Sequence, residues 1–262
     1  MDIEDIDIGN TIARSCLQGS PRLVVCFDNR ALEKNKPRLG WAQALVAQES
    51  WDGLHILPKV LDWYQNQEVW DLFATLRKSG FFDGYKSVVT YGSSMGGFAA
   101  LAFAALCGAE RVVALQPRTT LKWGVPWPSD MSAKLKYNRT GPHADALLDL
   151  NSEVERLVFV DPFYARDMAH ADRVAGARVF HTPYAAHQIP EYLAEIGILR
   201  ETMCRAIGGT LTGAWFKEAM QAKTKSAIYQ RGLAAELRRR GEPESAVVQQ
   251  SVSQLGSDPK TK

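Results

Sequence analysis

The segment Thr90-Tyr-Gly-Ser-Ser-Met-Gly-Gly-Phe98 constrains this chain more than any other. Upstream, Ser87-Val-Val-Thr-Tyr91 is β-branched and aromatic and reads as a buried strand. Downstream, Phe98 to Leu106 is alanine-rich and apolar on nearly every side, the signature of a buried helix. A strand that turns sharply into a helix crowds its own backbone, so small residues are needed on both sides of the bend. Gly92 and Gly96 stand two positions either side of Ser94, giving G-x-S-x-G in the strand–turn–helix context where such a turn lifts a serine above the sheet. Ser93 is the rival, but glycines do not flank it symmetrically.

The rest of the chain repeats the same rhythm. Apolar runs at Arg22–Asp28, Leu54–Pro58, Lys86–Tyr91, Arg111–Pro117, Arg156–Asp161 and Arg178–Pro183 read as strands. Helical spacing falls between them, at 40–49, 65–79, 98–106 and 164–174, and again after the last strand at 189–207. Strands alternating with helices predict a doubly wound, mostly parallel sheet covered on both faces. With 262 residues, 46% of them hydrophobic, the chain can bury one large α/β domain, placed at 1–215. Residues 118–155, with Trp123, Trp127 and a basic cluster, interrupt the rhythm and read either as a cap over a pocket or as a structural loop. From 216 the chain turns helical and charged. A break at Gly241 and a second helix to about 255 give a C-terminal helical hairpin, similar to a single tetratricopeptide unit, with a frayed tail to 262. Residues 216–255 are thus either a docked hairpin or a surface for a protein partner or self-association.

Composition excludes several classes. Thirty-one basic residues against 29 acidic ones leave a net charge of +2, which gives no basis for a nucleic-acid or membrane-surface partner. The longest apolar run, 96–108, is short of the roughly 20 residues a bilayer span needs. The acidic start MDIEDIDIGN lacks the basic and apolar regions of a signal peptide. Four scattered cysteines form no C-x-x-C pair. Cys26 and Cys107 lie in apolar runs and read as buried hydrophobes. Together these predict a cytoplasmic protein. Neither a phosphate loop of the G-x-x-x-x-G-K-[ST] type nor an H-E-x-x-H metal site occurs, and no metal or cofactor is expected.

A serine hydroxyl at neutral pH needs a base to take its proton, a group to orient that base, and donors for the developing oxyanion. In strand-turn-helix sites of this kind the acid and then the histidine follow the serine, each beyond a later strand. Asp161 ends the run LVFVD, and His187 lies 26 residues further on in the loop TPYAAHQIP. Of the other histidines, His55 and His181 fall inside predicted strands as packing residues, His143 in the excursion and His170 in a helix. For the acid, Asp161 is preferred over Asp167, which follows the same strand near a helix start and can serve there as a cap. The oxyanion donors are expected to be the N–H of Met95 and one from the loop after Phe27, either Asp28 or, preferred, Asn29. That loop lacks the usual histidine–glycine pair.

YGSSMGG, VFVDP and YAAHQIP, in this order and each after a strand, resemble the α/β-hydrolase superfamily over residues 20–210. The resemblance implies a Ser94–His187–Asp161 triad acting without metal or organic cofactor on a small acyl ester. Ser94 would form an acyl-enzyme that water releases, or that an acceptor alcohol relieves in an acyltransferase. It also implies shortened opening strands, since only about 20 residues precede Arg22. SMGGFAALAFAALCGAERVVALQP with DWYQNQEVW is similar to a bacterial hydrolase-like group tied to glycan or surface-polymer processing, which would favour an acylated sugar as substrate. The competing non-enzyme reading, a silent scaffold binding a partner through its C-terminal helices, predicts a misaligned triad.

Overall fold

The computed structural model describes residues 2–29, 38–125 and 137–241. Its frame is an eight-stranded sheet in the order β1-β2-β4-β3-β5-β6-β7-β8. The strands are β1 (Asp2–Ile8), β2 (Thr11–Leu17), β3 (Arg22–Phe27), β4 (Asp52–Pro58), β5 (Ser87–Ser93), β6 (Arg111–Leu115), β7 (Glu155–Val160) and β8 (Arg178–His181). β3 through β8 run parallel, while β1 and β2 form an antiparallel hairpin on the β4 edge.

Alternation along the central strands divides the core between the two faces, because successive side chains of a strand point to opposite sides. Leu23, Val25 and Phe27 of β3 join Val112 and Ala114 of β6 and Val158 and Val160 of β7 on one face. Val24 and Cys26 join Val113, Leu115, Leu157 and Phe159 on the other. The first face is covered by α2 (Gln67–Lys78), α3 (Met95–Ala102) and α4 (Ala104–Cys107). The second is covered by α1 (Gln43–Gln48), α6 (Ile189–Glu195), α7 (Leu199–Gly208), α8 (Gly213–Ala219) and α9 (Ala227–Arg240). A further helix among the described residues, α5 (Ala165–Ala171), follows β7.

The chain leaves β3 in one direction to build β4 and returns past it to build β5, so the strand order reverses between β3 and β5. In an open parallel sheet such a reversal leaves a crevice beyond the carboxyl ends of the strands. Both the Gly92–Gly96 turn and Asp28–Asn29, just beyond the end of β3, lie at that crevice.

Three expectations need amendment. The opening of the fold is a full hairpin, with seven-residue strands at β1 and β2. The sequence conceals it because Ile3 and Ile6 of the edge strand are 53% and 48% exposed and separated by acids, the charged edge that keeps a terminal strand from pairing further. His181 is exposed on the edge strand β8, where it packs little. The helix predicted from 216 to 241 is broken at Ser226, whose extended backbone and side chain cap α9 by accepting from Tyr229 N–H. Phe216, Met220 and Ile228 of this region are buried in the second core face, and the second arm of the predicted hairpin lies outside the described residues. Of the 118–155 excursion, Leu121, Ala144 and Ala146 enter the first core face and Thr120 bridges to Asp145. Cys26 and Cys107 are wholly buried. No helix among the described residues is long and apolar enough to cross a membrane.

Candidate active site

Ser94 occupies the bend between β5 and α3 with φ 54° and ψ −111°, a conformation that L-residues rarely adopt and that costs of order 1–3 kcal/mol. The surroundings over-determine it. Ser94 N–H donates to Leu115 O of β6 at 2.9 Å, and Phe98 N–H donates to Ser94 O at 3.0 Å to begin the helix. The flanking glycines are required by space: a Cβ on Gly92 would lie 2.2 Å from Gly96 O, and one on Gly96 would lie 2.1 Å from Phe27 O. The bend can therefore pack against the end of β3 only if both stay bare.

His187 comes from the loop after β8. Its Nε2 lies 2.8 Å from Ser94 Oγ, and its Nδ1 lies 2.6 Å from Asp167 Oδ2. The ring is 31% exposed while the Asp167 side chain is fully buried, so one end of the pair faces the crevice and the other faces protein. Ser93 is wholly buried, with Gln116 Nε2 3.4 Å from its hydroxyl, which removes it as the alternative to Ser94.

The geometry reverses the preference between the two acids. Asp161 does not reach the imidazole. Its Oδ1 accepts from Phe163 N–H (2.9 Å) and Tyr184 N–H (3.0 Å), and its Oδ2 from Ala186 N–H (2.7 Å). The carboxylate at the tip of β7 thus fastens the loop that carries His187. Burial pushes the Asp161 carboxyl above its ordinary value; the three N–H donors pull against that and the neighbouring Asp167 adds to it. Asp167, two residues into α5, projects sideways to the ring instead of capping its helix.

Two residues that no sequence motif marks complete the arrangement. Gln116, just beyond β6 at φ 39°, donates from Nε2 to His187 O (3.1 Å) and accepts Ile189 N–H on Oε1 (3.0 Å). With Asp161 it holds the histidine loop from both sides. Arg118 Nη1 lies 2.9 Å from Asp167 Oδ1, with both side chains buried.

The expected oxyanion donors fare differently. Met95 opens α3, so its N–H has no carbonyl one turn back to bond within the helix. Asn29 N–H is spent on Asp28 Oδ1 at 2.8 Å, and Asp28 N–H on Ile56 O at 3.1 Å, so neither is supplied as a second donor in this arrangement. Asp28 is in turn paired with Arg38 at 2.6 Å. A cavity of about 480 Å³ between α1, α6 and α7 is lined by Tyr91 and Met203 among others; neither Ser94 nor His187 forms its wall. Among the described residues no cluster of three His, Cys, Asp or Glu side chains is placed to hold a metal ion.

The arrangement of strands matches solved structures of one kind. A hormone-sensitive lipase from a metagenome library superposes with a TM-score of 0.57 at 17% identity, covering 80% of this chain and 86% of that one. An esterase/lipase from an uncultured bacterium gives 0.51 at 11% identity, with 83% and 84% covered. This chain has the α/β-hydrolase fold. A capsule O-acetyltransferase of Neisseria meningitidis serogroup A is also similar, with a TM-score of 0.51 at 8% identity, covering 79% of this chain and 94% of that one. No protein-family model and no curated protein sequence matches the chain. Within the α/β-hydrolase fold the Ser94 turn follows the central parallel strand β5, and the histidine loop follows the edge strand β8.

Proposed function

We propose that this chain is a serine hydrolase that cleaves carboxylic esters through an acyl-enzyme on Ser94. The observation that carries the reading is the continuous line of contacts from Ser94 Oγ to His187 Nε2 (2.8 Å) and from His187 Nδ1 to Asp167 Oδ2 (2.6 Å). His187 Nε2 takes the proton from Ser94 Oγ as the oxygen attacks the acyl carbon. Asp167 accepts from Nδ1–H, fixes the tautomer that leaves Nε2 free to act as base, and stabilises the imidazolium that forms. The N–H of Met95 and the dipole of α3 stabilise the oxyanion. His187 then returns the proton to the departing alcohol, and water repeats the sequence to free the acid. A silent scaffold needs no such alignment and is disfavoured by it.

A second reading is acyl transfer, in which an acceptor alcohol replaces water on the same acyl-enzyme. The likeness to the capsule O-acetyltransferase supports it, and an O-acylated sugar is the narrower substrate class that this likeness favours. Hydrolysis of p-nitrophenyl acetate, followed by mass mapping of a fluorophosphonate adduct, tests the main reading. The adduct is expected on the Ser94 peptide, with both hydrolysis and adduct absent in Ser94→Ala. Hydrolysis undiminished in Ser94→Ala overturns it. Acetylated acceptor formed in preference to free acetate, on adding sugar alcohols, selects the second reading.

A further inference from the structure

We propose that Arg118 is a positioning residue for the base, holding the second oxygen of Asp167 and through that carboxylate setting the pH at which His187 becomes free to accept a proton. The inference rests on the triad reading of the same site. The two oxygens of Asp167 are divided between two partners: Oδ2 faces His187 Nδ1 at 2.6 Å and Oδ1 faces Arg118 Nη1 at 2.9 Å. The Arg118 side chain is 3% exposed and that of Asp167 0%, so water screens neither charge. A guanidinium keeps its charge throughout the working pH range.

The position of Arg118 in the chain fits the task. It lies two residues beyond Gln116, its N–H approaches Ser94 O (3.5 Å), and its Nη1 donates to Arg166 O of α5 (3.4 Å). One residue thus spans the serine turn and the helix that bears the acid. The remaining ionisable groups around Asp167 come from the elements packed there. Asp161 and Tyr164 follow β7, Arg166 and His170 lie on α5, and His187 follows β8. His170 is occupied as an acceptor of Thr119 N–H on Nδ1 at 3.0 Å. Asp161 is committed to three backbone donors. Arg118 is therefore the cation in direct contact with the acid.

The sign follows from counting charge. With Arg118 in place, a neutral His187 and an ionised Asp167 make a group with no net charge. Without it, the Asp167–His187 pair carries one negative charge in a buried place, and taking up a proton neutralises it. Removing Arg118 must therefore raise the pH at which the pair protonates, leaving the base occupied at neutral pH. An opposite charge at this range shifts such an equilibrium by about one to three pH units.

Two readouts test this on the full chain: the rate of fluorophosphonate labelling at Ser94 against pH, and the NMR titration of the His187 ring carbon. Each is measured in wild type, Arg118→Lys and Arg118→Met. In Arg118→Met both midpoints are expected to move up by about one to three units, a loss of roughly tenfold in labelling per unit below the new midpoint. Arg118→Lys is expected to keep both close to wild type. If Arg118→Met does not fold, Arg118→Gln replaces it as the neutral variant. Unmoved midpoints in a folded neutral variant, or equal movement in the lysine variant, overturn the proposal. Wild type that fails to label overturns the hydrolase reading instead, while the ring titration still decides the role of Arg118.

Discussion

Two buried aspartates, six residues apart at the carboxyl end of β7, do different work. Asp161 stands at the strand tip and accepts three backbone N–H groups, two of them from the loop bearing His187. Asp167 stands in the first turn of α5 and accepts no backbone donor; its partners are the side chains of His187 and Arg118. One carboxylate shapes the path of a loop and the other meets the ring that the loop delivers. Proximity to the site and burial do not separate them. What separates them is the class of partner each oxygen finds.

The difference can be pressed hardest at Asp167. Asp167→Asn keeps the shape but offers the ring an amide, so the wrong tautomer is favoured. Ester hydrolysis is expected to fall about 10⁴-fold, and stability falls too, because the amide leaves the buried Arg118 guanidinium without its charge partner. Initial rates beside a melting curve check it. Asp161→Asn should spare far more of the rate. An amide group facing N–H donors breaks at least one hydrogen bond, and unfolding free energy is expected to drop by about 1–3 kcal/mol while activity falls roughly tenfold through a loosened loop. Urea unfolding with parallel rate measurements decides whether stability or rate suffers more. If Asp161→Asn proves as inactive as Asp167→Asn but equally stable, the division between them is wrong.

The smallest effect on the reaction is expected from a buried group outside this pair. His55 sits within β4 with its ring 3.1 Å from Trp41 O, and burial pushes its pKa down to about 4 from an ordinary 6.5. The folded chain therefore holds it neutral while the unfolded chain protonates it first. Stability contributed above pH 6.5 is lost as pH falls towards about 4, by about 3 kcal/mol in all. His55→Gln should flatten that slope in unfolding measurements across pH, with labelling at Ser94 unaltered near neutrality. A slope that persists in the variant assigns the acid sensitivity elsewhere.

The same contrast explains what could be read before the structure. The parallel strands were legible because burial on both faces writes them as unbroken apolar runs, and the bend at Ser94 was legible because sterics leave few choices beside Gly92 and Gly96. His187 followed from chain order. The choice of acid did not, since order allows either aspartate. Only the start of α5 at Ala165 turns Asp167, and not Asp161, towards the ring. Gln116 and Arg118 follow β6 without any motif, and their partners are distant in the chain: the His187 loop 71 residues on for Gln116, and Asp167 of α5 for Arg118. The β1–β2 hairpin was hidden because an exposed edge strand carries acids where a buried strand would carry valine. Asn29 was a reasonable second donor by position, yet the carboxylate of its neighbour Asp28 captures its N–H first.

The most direct measurement of the central claim is the proton resonance of His187 Nδ1–H, compared between Asp167→Asn and Asp161→Asn. A hydrogen bond of 2.6 Å to a carboxylate is short and charge-assisted, and it holds that proton far downfield. The resonance is expected to persist when Asp161 is changed and to vanish or move sharply upfield when Asp167 is changed. The reverse outcome would contradict the assignment of the two acids.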